Sequence, residues 1–130
     1  MNARTFTAAL AVSGAAALAG AAVASAHTEV VTSSPKHGAT VKVLPKTATI
    51  TFSGPMGKAG KVRVTRNGKG NYARSARLAP RNAKRVVVRL KNVKKSAQRG
   101  VYRIVWNATA ADCHEQRGVI AFRVGAKRSR

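Results

Sequence analysis

The stretch Gly100-Val101-Tyr102-Arg103-Ile104-Val105-Trp106 sets Tyr102, Ile104 and Trp106 on one side of an extended chain and Val101, Arg103 and Val105 on the other. Successive side chains of a strand point to opposite faces, so this period of two predicts a strand with an aromatic-rich face turned inward. Working outward, the same period recurs. Gly118 to Val124 aligns Ile120, Phe122 and Val124, and Arg85 to Leu90 aligns Val86, Val88 and Leu90. Lys61 to Arg66 aligns Val62 with Val64, and Thr47 to Phe52 aligns Ala48, Ile50 and Phe52. Asn67-Gly68 is a hairpin-turn signal, because both residues tolerate positive φ. Ala73 to Ala83 contains helix formers, but Pro80 and the alternating arginines favour strand plus loop. Short strands separated by Gly and Pro turns predict an all-β sandwich or small barrel.

The N-terminal region reads differently. Arg4 precedes an uncharged Ala/Leu/Val-rich run from Phe6 to Val23, and Ala24-Ser25-Ala26 then supplies the small-x-small pattern of a signal-peptidase site. Residues 1–26 are therefore expected to be a cleaved signal peptide, residues 27–125 the folded domain and residues 126–130 a basic tail. Ser13, Gly14, Gly20 and many alanines dilute the run below what a membrane anchor needs. The expected location is periplasmic or secreted. Cleavage after Ala26 makes His27 the first residue, with a free α-amine beside its imidazole.

Charge is the least ordinary feature: 25 Lys and Arg against three Asp and Glu give a formal net charge of +22. Two readings stand, an attraction to polyanions and a highly charged solvated surface. Alternation places these cations on the outer faces of strands, where neighbours repel. Stability is accordingly expected to improve with salt or a polyanion. The single cysteine, Cys113, excludes an intramolecular disulfide. With three acids there is no evident carboxylate pair, and no phosphate-cradling glycine loop opens a helix. The chain reads as a binding protein rather than an enzyme.

Few residues are able to hold a metal, and they are grouped. His27 and Glu29 form one short segment and Asp112, His114 and Glu115 another; only His37 stands apart. Asp112 and His114 are two residues apart, so both side chains can point the same way. The α-amine and Nδ1 of His27 can close a six-membered chelate ring, His114 adds a nitrogen and Asp112 an oxygen. Such a nitrogen-rich set suits tetragonal Cu(II), one ion per chain, with Zn²⁺ the main competitor. Against this, an Asp-x-His pair alone is more often a polar turn. Alternation would turn Cys113 away from the Asp112/His114 face and pack it, and His37, between Pro35 and Gly38, is expected to face solvent.

Four segments carry a family resemblance. They are His27-Thr28-Glu29-Val30-Val31 with Ser33-Ser34-Pro35 and Gly38; Ile50-Thr51-Phe52-Ser53-Gly54-Pro55; Gly100 to Trp106; and Asp112-Cys113-His114 leading to Gly118 and Phe122-Arg123-Val124. In this order the chain resembles CopC-like copper-resistance proteins from His27 to about Val124. The resemblance implies an immunoglobulin-like Greek-key β-sandwich of about seven strands. It also implies a histidine-brace Cu(II) site made by His27, Asp112 and His114. Glu115 stands where the family usually has proline. Met56 is the one methionine after the leader, so a separate multi-sulfur Cu(I) site is not expected.

Two main functions follow from these readings. One is an exported Cu(II) carrier or buffer in copper resistance and homeostasis, with a membrane copper transporter as partner. The other is a cationic protein for an anionic polymer or membrane surface, with a vestigial metal site. Nucleic acid is not the expected physiological target of an exported protein.

Overall fold

Alternation of apolar and polar residues is realised as eight strands across residues 28–125, the part of the chain that the computed structural model describes. They are β1 (Val30–Ser34), β2 (Thr40–Val41), β3 (Thr47–Phe52), β4 (Met56–Arg66), β5 (Ala73–Ala79), β6 (Asn82–Leu90), β7 (Gly100–Ala110) and β8 (Glu115–Val124). One short 3-10 turn, Lys95–Ala97, precedes β7. The strands make two four-stranded sheets, β1-β3-β6-β5 and β2-β8-β7-β4. The larger strands follow the A-B-E-D and C-F-G layers of an immunoglobulin sandwich. The strand beyond the expected seven is β2, two residues long and parallel to β8.

Each inward position of the alternating segments is buried except Val62 of β4, which is half-buried against the core. Ile50 and Phe52 of β3, Val64 of β4, Val86 and Val88 of β6, Tyr102 and Ile104 of β7 and Phe122 of β8 are the largest side chains wholly inside. Burying each such residue is worth roughly 1.5–3 kcal/mol, and with no disulfide the sandwich rests on this term. Tyr102 stacks on Phe122 at 5.4 Å, and Trp106 meets Phe52 edge-on at 5.2 Å.

The corner before β7 is closed by polar bonds. The Tyr102 hydroxyl donates to the Gln98 carbonyl at 2.7 Å, the tyrosine-corner arrangement of immunoglobulin-type sandwiches. The Gln98 side chain accepts from Leu44 N and donates to the Val93 carbonyl, so two loops are fastened to one buried amide.

One expectation needs refinement. Asn67 and Gly68 turn as anticipated, with φ of 50° and 80°, but the hairpin ends after one bridge, Arg66 to Lys69. Gly70 then takes φ 75°, and Asn71 Oδ1 accepts from both Val64 N and Ala73 N. That side chain satisfies donors that a continuing hairpin would use, and the chain crosses to the other sheet as β5. Among the described residues, no helix is long and apolar enough to cross a membrane.

Candidate metal centre

β7 and β8 are joined by four residues, Ala111 to His114, and the backbone bond between Ala110 and His114 encloses the first three. Cys113 N donates to the Ala110 carbonyl at 2.9 Å, and Ala110 N donates to the His114 carbonyl at 2.8 Å. Cys113 itself has φ 72°. This is a three-residue hairpin loop, a β-turn followed by a left-handed residue that is usually glycine. Its tightness is what brings Asp112 onto His114.

Asp112 holds His114 twice. Oδ1 accepts the His114 backbone N–H at 3.0 Å, and Oδ2 lies 3.0 Å from Nδ1 of the ring. The side-chain hydrogen bond to Asp112, with its negative charge, raises the His114 pKa above its ordinary 6.5. The same bond, with the one to the backbone, lowers that of Asp112. When the ring is neutral, Nδ1 donates to the carboxylate and Nε2 carries the lone pair. Nε2 has no hydrogen-bond partner among the described residues. A carboxylate behind the far nitrogen is the usual support of a metal-ligating histidine.

The first described residues are fastened beside this loop. Glu29 N donates to Ser53 Oγ at 2.9 Å, and Ser53 N donates back to the Glu29 carbonyl at 2.8 Å. Thr28 lies over Gly54 so closely that a Cβ there would come within 3.2 Å of its hydroxyl. Thr28, Glu29, Trp106, His114, Glu115 and Arg117 line one open concavity of about 510 Å³. The Trp106 ring at its base depends on Gly118, its partner across the β7–β8 ladder. A Cβ on Gly118 would sit 2.6 Å from the indole.

Of the expected site residues, Asp112 and His114 are brought together, and Glu29 and Glu115 share the concavity with His114. His27 lies outside the described residues, as do the leader and the tail 126–130. Among the described residues, no three His, Cys, Asp or Glu side chains form a metal-sized group, so the pair needs a further donor. Cys113 is a correction: it is exposed, not packed. Alternation does not apply to it, because it sits in the turn rather than in a strand. His37 is exposed as expected, and its Nδ1 accepts the backbone N–H of Ala121 at 3.0 Å. Sequence reasoning left Thr28, Ser53, Gly54 and Trp106 without a role here. The Phe52-Ser53-Gly54-Pro55 segment was the available signal, and the Glu29–Ser53 clasp is what it encodes.

Residues 30–125 match the CopC domain family. The chain is 30% identical over 100 residues to the copper transport protein CutJ of Bacillus subtilis (strain 168), an alignment covering 77% of this chain. It spans only 18% of that relative's length. Among solved structures, CopC from Methylosinus trichosporium OB3b superposes with a TM-score of 0.66 at 16% identity, covering 79% of this chain and 98% of that one. PcoC, a methionine-rich copper resistance protein from Escherichia coli, superposes with a TM-score of 0.58 at 24% identity, covering 75% and 98%. These superpositions speak to the fold.

Proposed function

The chain belongs to the CopC domain family, and from that premise we propose that it is an exported Cu(II)-binding protein. It carries or buffers copper in copper resistance and homeostasis. The site uses the α-amine and imidazole of His27, released by cleavage after Ala26, with His114 and Asp112 completing it for one ion per chain. The observation that carries this reading is that His114, held by Asp112, lines the same concavity as Thr28, the residue bonded to His27 in the sequence.

The donor set fits the ion. His114 offers Nε2 while Asp112 holds its Nδ1 side. Amine, imidazole and carboxylate together favour Cu(II), which also tops the affinity order of first-row divalent ions. Asp112 contributes first by fixing the ring; it supplies an oxygen to the metal only by releasing one of its two bonds to His114. Met56 is buried at the start of β4, which accords with a nitrogen/oxygen site rather than a thioether one. The location is the periplasm or the exterior, and the recipient is a membrane copper transporter.

Calorimetric titration with Cu(II) of the protein beginning at His27, alongside its His27→Ala and His114→Ala variants, tests the assignment. Each substitution removes tight binding while leaving the far-ultraviolet circular dichroism unchanged. Full affinity in either variant would overturn it.

A further inference from the structure

β4 and β5 are edge strands of their sheets and lie against each other along one side of the sandwich. The open cleft between them, of about 720 Å³, is lined by Lys61, Arg63, Arg74 and Arg117 around Trp106 and Ser75. Over β5 a second concavity, of about 500 Å³, takes in Arg74, Arg77 and Arg89 on the outer face of the β5–β6 pair. The two share Arg74 and Ser75, so the cations continue from one into the other. Ser75 faces Arg89 and Arg77 faces Val87 across the ladder. Alternate residues of one strand lie about 6.6–6.8 Å apart and neighbouring strands about 4.8 Å apart, so Lys61 and Arg63 follow each other along β4 and Arg89 stands diagonally across from Arg77.

These cations have no carboxylate partners among the described residues, and Arg63 Nε donates to the Gly70 carbonyl at 3.4 Å. Among the described residues the one ion pair is His114 with Asp112, so none of the six basic side chains is paired with a carboxylate. The chain's three acids, Glu29, Asp112 and Glu115, all lie at the candidate metal centre: Glu29 and Glu115 line its concavity and Asp112 bonds His114. Neither the cleft nor its extension is lined by an acid.

We propose that this track, from Lys61 and Arg117 across Arg63 and Arg74 to Arg77 and Arg89, binds a linear phosphate-bearing polymer. Five of the six cations are arginine, whose planar fork matches two phosphate oxygens at once. The track is concave and turns from a cleft onto a sheet face, which a flexible strand follows and a flat bilayer does not. Charges on edge strands guard against edge-to-edge pairing, but that role does not account for Arg89 and Arg117, which stand on the interior strands β6 and β8. The proposal does not require bound copper, although Arg117 and Trp106 line both the cleft and the concavity of the candidate metal centre.

The test uses long-chain inorganic polyphosphate as probe, followed by anisotropy over a salt series and by the emission of Trp106, the chain's single tryptophan. The Arg74→Gln, Arg77→Gln, Arg89→Gln triple variant is compared with a control triple of exposed arginines outside the track, Arg99→Gln, Arg103→Gln and Arg123→Gln. The wild type is expected to bind with a steep salt dependence and a change in Trp106 emission. The track triple loses at least about tenfold in affinity, and its log–log salt slope becomes shallower by about 2, at roughly 0.7 per phosphate contact removed. The control triple loses far less. Equal losses in both triples overturn the proposal in favour of diffuse charge. Binding to phosphatidylglycerol vesicles without binding to polyphosphate overturns it in favour of a membrane surface.

Discussion

At the scale of single residues, the arrangement turns on the two bonds that Asp112 makes to His114. They restrict the ring, leave Nε2 outward of the carboxylate and make the ring a stronger base. Removing the charge while keeping the shape, Asp112→Asn, is therefore expected to lower the His114 pKa toward its ordinary 6.5, as read by an NMR pH titration of the imidazole. In the same variant Cu(II) affinity falls by about 10–100-fold, the usual cost of losing such a support, and less than in His114→Ala. The sign with pH follows from both groups. The ion pair stabilises the fold only between the lowered Asp112 pKa and the raised His114 pKa, and weakly, because its side chains are 55% and 82% exposed. Copper competes with the proton on His114 and on the α-amine, whose free pKa is about 7.7–8.0. Affinity therefore rises with pH through both titrations, and an isothermal titration series checks this directly.

At the scale of elements, the β7–β8 hairpin does the positioning. Its three-residue loop sets the register that places Trp106 opposite Gly118 and Asp112 beside His114. Gly118→Ala puts a methyl into the indole and is expected to cost about 1–3 kcal/mol, the range for overpacking a filled site, measured by urea unfolding. Elements with one buried face were legible in the sequence: β3, β6, β7 and β8 each bury the residues that alternation picked out. The edge strands were less so. β1 is mostly exposed and β2 has two residues, so neither shows a period. The crossover after Gly68 depends on Asn71 bonding across to Val64, a long-range choice that turn chemistry alone does not contain. Half of the candidate centre was likewise readable, since Asp112 and His114 share one loop. The clasp between Glu29 and Ser53 spans 24 residues and no local spacing announces it. Cys113 was misplaced because a left-handed turn position does not obey strand alternation.

At the scale of the molecule, charge is divided unevenly. The three acids gather at one end with the candidate metal centre, while the remaining surface carries cations that repel across neighbouring strands. A cation arriving at that end meets the one region where carboxylates offset the positive field. The same imbalance predicts a melting temperature that climbs from low to moderate ionic strength, as the Debye length shrinks to about 10 Å near 0.1 M salt. Differential scanning calorimetry across a sodium chloride series checks it. A mixed-charge sandwich of equal size should respond much less.

The central claim is that a terminal amine, its own imidazole and the Asp112–His114 pair grip one copper ion together. The most direct measurement is electron paramagnetic resonance of Cu(II) bound to protein that begins at His27, set against the same protein carrying one extra alanine before His27. The predicted result is a single tetragonal, nitrogen-rich signal at one equivalent in the first, lost or replaced by a weaker site in the second. An identical spectrum and affinity in the two proteins would contradict the account.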